Sequence, residues 1–91
     1  MKSIKENYTI LPGEQIELPP SGINFMTSLE IESFPQDERS YPFSFSDDSG
    51  VINDLSVKSL RLGDISMIKG FVKNNNKEPI YIMVTAKQAH E

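Results

Sequence analysis

Hydrophobic and polar residues alternate along much of this chain, with the period of two that a half-buried strand requires. The clearest run is 24–32: Phe25, Thr27, Leu29 and Ile31 share one face, and Asn24, Met26, Ser28, Glu30 and Glu32 the other. On this reading Met26 is the one large apolar residue of the outer face. Tyr41, Phe43 and Phe45 alternate in the same way. Pro42 places their strand at an edge, or near its own beginning, because proline has no N–H to give to a ladder. Between 51 and 62 the phase slips, since Leu55 and Val57 keep one alternation and Leu60 and Leu62 the other. A strand there needs a bulge. The competing solution is a short helical turn over 54–62, capped by Asp54 and ended by Gly63. The β-branched and serine content favours the strand.

Turn-forming residues punctuate the pattern at Pro12-Gly13, Pro19-Pro20-Ser21-Gly22, Pro35, Pro42, Asp47-Asp48-Ser49-Gly50, Gly63-Asp64 and Asn74-Asn75-Asn76. Signals this closely spaced leave room for strands and for few helices. Two hairpins follow. In the first, 8–11 and 15–18 reverse over Pro12-Gly13, with Ile10 opposite Ile16 and Tyr8 opposite Leu18 on one face. In the second, 66–73 and 80–87 pair across a 74–78 loop, with Val72 opposite Ile80, Gly70 opposite Ile82 and Ile68 opposite Val84. Gly70 then leaves a hole over Ile82 for a side chain from another strand.

The same register sets Phe71 opposite Tyr81 and Lys69 opposite Met83 on the second face, with Met67 on that side. Two readings remain open. The hairpin is central and its own chain covers both faces, or the face of Met67, Phe71, Tyr81 and Met83 meets another subunit. Aromatic and methionine side chains are the types enriched at interface cores. These four residues are the candidate interface.

The expected fold is all-β: a small antiparallel β-sandwich or barrel-like domain of about seven or eight short strands. It spans 8–87, between a flexible arm at 1–7 and a tail at 88–91, and the polar stretch 33–40 is an exposed loop. Length agrees, because 91 residues suit one domain. With 37% hydrophobic residues and no Trp, the core is thin. It suffices by itself or is completed by copies of the chain or by a partner.

Composition also narrows the chemistry. Without cysteine there is no disulfide framework, thiolate metal site or cysteine nucleophile. The segment 1–7 has no apolar run after its lysines, so no signal peptide is expected. No stretch approaches the ~18 apolar residues of a membrane helix. The net charge of −4 comes without a basic stripe, which argues against direct nucleic-acid binding. The single histidine, His90, is penultimate, a poor place for a preorganised imidazole. No Gly-x-Ser-x-Gly elbow and no glycine-rich phosphate loop occurs. Glu30 and Glu32 stand about 7 Å apart along a strand, a spacing glycosidase carboxylates use. Any solvent-facing strand shows the same alternation. Asp47-Asp48-Ser49-Gly50 with Asn53-Asp54 offers oxygens to Ca²⁺ but lacks the spaced calcium-loop pattern, and reads as an acidic turn. Tyr41 and Tyr81 are candidates for stacking a sugar. No catalytic residue, cofactor or metal is expected.

Three stretches carry a resemblance: 11–19 (Leu-Pro-Gly-Glu-Gln-Ile-Glu-Leu-Pro), Pro42-Phe43-Ser44-Phe45 running to Gly50, and Gly70-Phe71-Val72-Lys73-Asn74 leading into 79–84. In this order of features the chain resembles the small β-sandwich proteins of bacteriophage virions, of the capsid-decoration, head-fibre or tail-associated type. The resemblance carries over no catalytic or ligand residue. It implies a structural subunit, assembled in the host cytoplasm and residing in the virion. Such a subunit works as a homo-oligomer or by docking on a virion protein. The alternatives are a non-catalytic glycan- or protein-binding β module, and a small acidic inhibitor that imitates nucleic-acid charge.

Overall fold

The computed structural model describes residues 2–34, 41–47 and 52–89, and its regular structure is all strand. The strands are β1 (Lys2–Ile10), β2 (Gln15–Leu18), β3 (Ser28–Phe34), β4 (Tyr41–Ser46), β5 (Ile52–Val57), β6 (Ser59–Leu62), β7 (Gly70–Asn74) and β8 (Ile80–Gln88). They form two antiparallel sheets of four, ordered β1-β8-β3-β6 and β2-β7-β4-β5, which pack face to face. The all-β sandwich expected from the alternation is the fold observed.

Pairing is nested. β4 pairs β5, β3 pairs β6, β2 pairs β7 and β1 pairs β8. The chain is therefore one long antiparallel ribbon with its tip between β4 and β5, rolled so that β3 also meets β8 and β4 also meets β7. An eight-stranded, two-sheet roll of this kind is a jelly roll.

Rolling requires both strands of the ribbon to bend together, and backbone hydrogen bonds mark three corners. At the first, Gly13 N–H donates to the Asn74 carbonyl (2.9 Å) and Asn74 N–H to that of Glu14 (3.0 Å). At the second, Met26 and Met67 exchange both bonds (2.8 and 3.0 Å), and Ile65 N–H reaches the Thr27 carbonyl. At the third, Ser33 N–H donates to the Lys58 carbonyl (2.9 Å).

These corners overturn both expected hairpins. Pro12-Gly13 does form a tight turn, with Gly13 at φ 79° and Glu14 N–H bonded to the Leu11 carbonyl, the geometry a Pro-Gly pair favours. It passes the chain from one sheet to the other rather than reversing it, so Ile10 lies opposite Ile80, and Ile16 opposite Val72. Likewise 74–78 links β7 in one sheet to β8 in the other, and Val72, Gly70 and Ile68 are not ladder partners of Ile80, Ile82 and Val84. Ile68 precedes β7 and is exposed. Gly70 lies opposite Leu18. A Cβ there would meet Met67 Sδ at 3.0 Å and the Ser46 carbonyl at 3.1 Å, so Met67 occupies the space that glycine opens.

The phase slip between 51 and 62 has the same cause. It is neither a bulge nor a helix: β5 ends, the chain crosses at Lys58, and β6 begins in the other sheet. Leu55 packs opposite Phe43, while Leu60 and Leu62 lie opposite Ile31 and Leu29. Met26 is another correction. It is fully buried, because it precedes β3 at a corner and points into the core with Met67. Thr27 fixes the irregular step, its N–H and hydroxyl both donating to the Lys87 carbonyl and its Oγ1 accepting from Ala89 N–H. Ser33, expected in an exposed loop, is buried within β3; 35–40 lie outside the described residues.

Of the expected arm and tail, residues 2–7 and Gln88 belong to the sheet. Residues 2–7 are part of β1, paired with 83–88 of β8. Ile4 packs against the core, where its Cδ1 would lie 3.2 Å from a Cβ at Gly22. Gln88 is buried and its Oε1 accepts from Asn24 N–H (3.0 Å). The core between the sheets comprises Ile10, Leu29, Ile31, Ile80, Ile82, Val84 and Ala86 on one side. Leu18, Tyr41, Phe43, Phe45 and Val72 face them from the other, Met26 and Met67 join the core at the second corner, and Ile23 completes the cluster.

Candidate functional site

β8 alternates buried Ile80, Ile82, Val84 and Ala86 with Tyr81, Met83, Thr85 and Lys87, which therefore point away from the core. Tyr81 is 49% exposed and Met83 half-buried. Across the ladder from them on β1 stand Thr9 and Asn7, and on β3 Phe34 and Glu32 hold the matching register positions. A shallow concavity of about 460 Å³ between β1 and β8 is lined by Asn7, Tyr8, Thr9, Tyr81, Ile82 and Met83. Partial burial and the charge of Glu6 push the Tyr8 phenol above its ordinary pKa.

The structure does not bring the four expected interface residues together. Tyr81 and Met83 share the outer face of the first sheet. Phe71 lies on the outer face of the second, opposite Glu17 and Ser46, and Met67 is in the core. The expected Phe71–Tyr81 and Lys69–Met83 pairs do not exist, because β7 and β8 are in different sheets. Lys69 instead stands over the Phe71 ring, 5.4 Å from its centroid, and pairs with Glu17 at 3.5 Å.

On the second sheet one cross-strand row of outward residues runs Gln15, Lys73, Ser44, Asp54, and the next contains Glu17, Phe71 and Ser46. Gln15, Ser44, Ser46, Asp54, Phe71, Lys73 and Asn75 line a concavity of about 350 Å³. Within it Asn75 Nδ2 donates to Ser44 Oγ (2.5 Å) and lies 3.4 Å from Asp54 Oδ1, while the Ser44 hydroxyl donates to the same carboxylate oxygen. This cluster was missed in the sequence. Ser44 and Asp54 are only outward-phase positions there, and Asn75 is only part of a loop.

The other candidates resolve individually. Glu30 is held by Arg61 across the β3–β6 ladder (3.1 Å), and the guanidinium lowers its carboxyl below the ordinary range. Tyr41 is buried and offers no platform for a sugar. Among the described residues no group of three His, Asp or Glu side chains could hold a metal ion. Asp48, Ser49, Gly50 and His90 lie outside those residues. No helix among the described residues is long and apolar enough to cross a membrane.

Architecture thus defines an eight-stranded jelly roll with two outward sheet faces, one bearing Tyr81 and Met83 and one bearing a polar hollow around Phe71. No protein-family model matches the chain, and neither does any curated protein.

Proposed function

We propose that this protein is a non-catalytic structural subunit, of the kind that builds bacteriophage particles, and that it works by joining copies of itself or a larger particle. In that role it resides in the virion after assembly in the host cytoplasm, and it needs no cofactor. The observation that carries the reading is the half-exposed Tyr81 beside Met83 on the outer face of the first sheet, bordering the β1–β8 concavity. Tyrosine and methionine give large, adaptable contact area and are favoured in the cores of interfaces. Jelly rolls recur in viral capsid and lectin domains; that is support by likeness of fold, which hosts more than one function.

Light scattering across a concentration series tests the reading. The expected result is an oligomer that Tyr81→Glu converts to a folded monomer. A monomer at every concentration, unaffected by Tyr81→Glu and without affinity for any particle, would overturn it.

A further inference from the structure

We propose that the hollow on the outer face of the second sheet is a binding site for an uncharged saccharide. Four features of that face select this chemistry. First, its polar groups are of the dual kind that sugar hydroxyls need. The amides of Gln15 and Asn75 each offer donors and an acceptor, Ser44 and Ser46 are hydroxyls, and Asp54 accepts. Second, three of them are already oriented. Ser44 and Asn75 both converge on Asp54, so the carboxylate and amide are held in place before a ligand arrives, and preorganised groups lose less entropy on binding.

Third, Phe71 stands half-buried within the hollow, on a strand flanked on both sides. It offers an apolar surface for the C–H face of a pyranose beside the polar groups. Lys69 stands over the ring, 5.4 Å from its centroid, and is tied to Glu17 beside it. Fourth, the charges balance. Lys73 and Asp54 both line the hollow, on either side of Ser44, and Lys69 is paired with Glu17. A phosphate or carboxylate ligand would call for a surplus of cations, which the described residues of this face do not supply. The volume of about 350 Å³ sits at the small end of the ~300–1,000 Å³ usual for ligand sites, a size that suits one or two sugar units at the end of a chain. The site is on the opposite sheet from Tyr81, so it is independent of the assembly face.

The experiment is an amide NMR titration of the full chain with D-glucose, D-galactose, D-mannose and N-acetyl-D-glucosamine, with sodium phosphate as the anionic control and a printed glycan array for longer chains. The expected result is that at least one saccharide moves amides at Gln15, Ser44, Asp54, Phe71 and Lys73. Phe71→Ala and Asp54→Ala should each weaken that binding about tenfold, the loss of one good contact. Asp54→Asn, which keeps the shape, checks the carboxylate should Asp54→Ala unfold, and Tyr81→Glu should leave sugar binding intact. A blank array with no amide moved by any sugar would overturn the site, as would binding unchanged by both hollow variants. A response to phosphate as strong as to sugar would overturn its chemistry.

Discussion

Asn74 is fully buried at the first corner of the ribbon. Its Nδ2 donates to the Ile10 carbonyl and to the Glu78 carbonyl, both at 2.9 Å, and its Oδ1 accepts from Asn76 N–H at 2.7 Å. One side chain thus ties the end of β1 to the loop that enters β8. Asn74→Ala removes three hydrogen bonds, each worth about 1 kcal/mol net, so a loss near 3 kcal/mol is expected. A domain of this length has roughly 5–14 kcal/mol in total. The corresponding fall in melting temperature is about 12–24 °C. Urea unfolding followed by circular dichroism measures the loss, and an unchanged m-value confirms that the same surface unfolds.

Asn74→Asp provides a sharper test because it adds a sign. An ionised carboxylate would face two carbonyl oxygens in a buried place, so its folded pKa rises above the unfolded value of about 3.9. The penalty is then absent below the unfolded pKa and grows as pH rises toward the folded one. The variant should therefore trail the wild type by less at pH 4 than at pH 7. A loss under about 0.5 kcal/mol for Asn74→Ala, within the range of ordinary surface changes, would refute the corner's importance. An Asn74→Asp deficit independent of pH would refute the burial argument.

Other substitutions probe other parts of the fold. Ser33 Oγ is buried with no hydrogen-bond partner among the described residues, so Ser33→Ala should be neutral or stabilising by up to about 1 kcal/mol in the same urea assay. Gly70→Ala drives a Cβ against Met67 Sδ and the Ser46 carbonyl. A loss of about 1–3 kcal/mol is expected, the cost of overpacking, and the same change should cost less when made in a Met67→Ala background, which is itself destabilised by the cavity it opens. The Arg61 hydrogen bond and charge lower the Glu30 carboxyl, so Arg61→Ala should raise its pKa toward the ordinary range in an NMR titration. A depressed carboxylate stabilises above its unfolded pKa and loses that contribution as pH falls through the folded one. The acid limb of the stability curve should therefore move in step with the titration.

The elements were more legible in sequence than their partners. Alternation located β2, β4 and β8 closely and β1, β3 and β7 in part, and the inward set Tyr41, Phe43 and Phe45 was correct because β4 keeps one phase from end to end. Pairing was misread because a turn signal reports that the chain bends, not whether it reverses within a sheet or crosses to another. Pro12-Gly13 and Asn74-Asn75-Asn76 look like hairpin tips, yet each is half of a corner whose other half lies about sixty positions away, linking Gly13 to Asn74. The phase slip around Lys58 was the one local clue to a crossing. Met26 was misplaced for the same reason, since an even alternation cannot register the corner before β3. The Ser44–Asp54–Asn75 cluster was invisible because it joins three segments that meet only after the ribbon has rolled.

The nested pairing also dictates an order of events during synthesis. Among the described strands only β4 and β5 are both neighbours in the chain and partners in a sheet, so these strands offer the nascent polypeptide one local pair to form as it leaves the ribosome. β8 is made last of these eight strands, yet it lies between β1 and β3. β1 must therefore wait, unpartnered, until β8 has emerged, and contacts this distant in sequence close slowly. Chains stalled before Ile80 should be protease-sensitive throughout 2–10, and release should confer protection on that segment in a single late step.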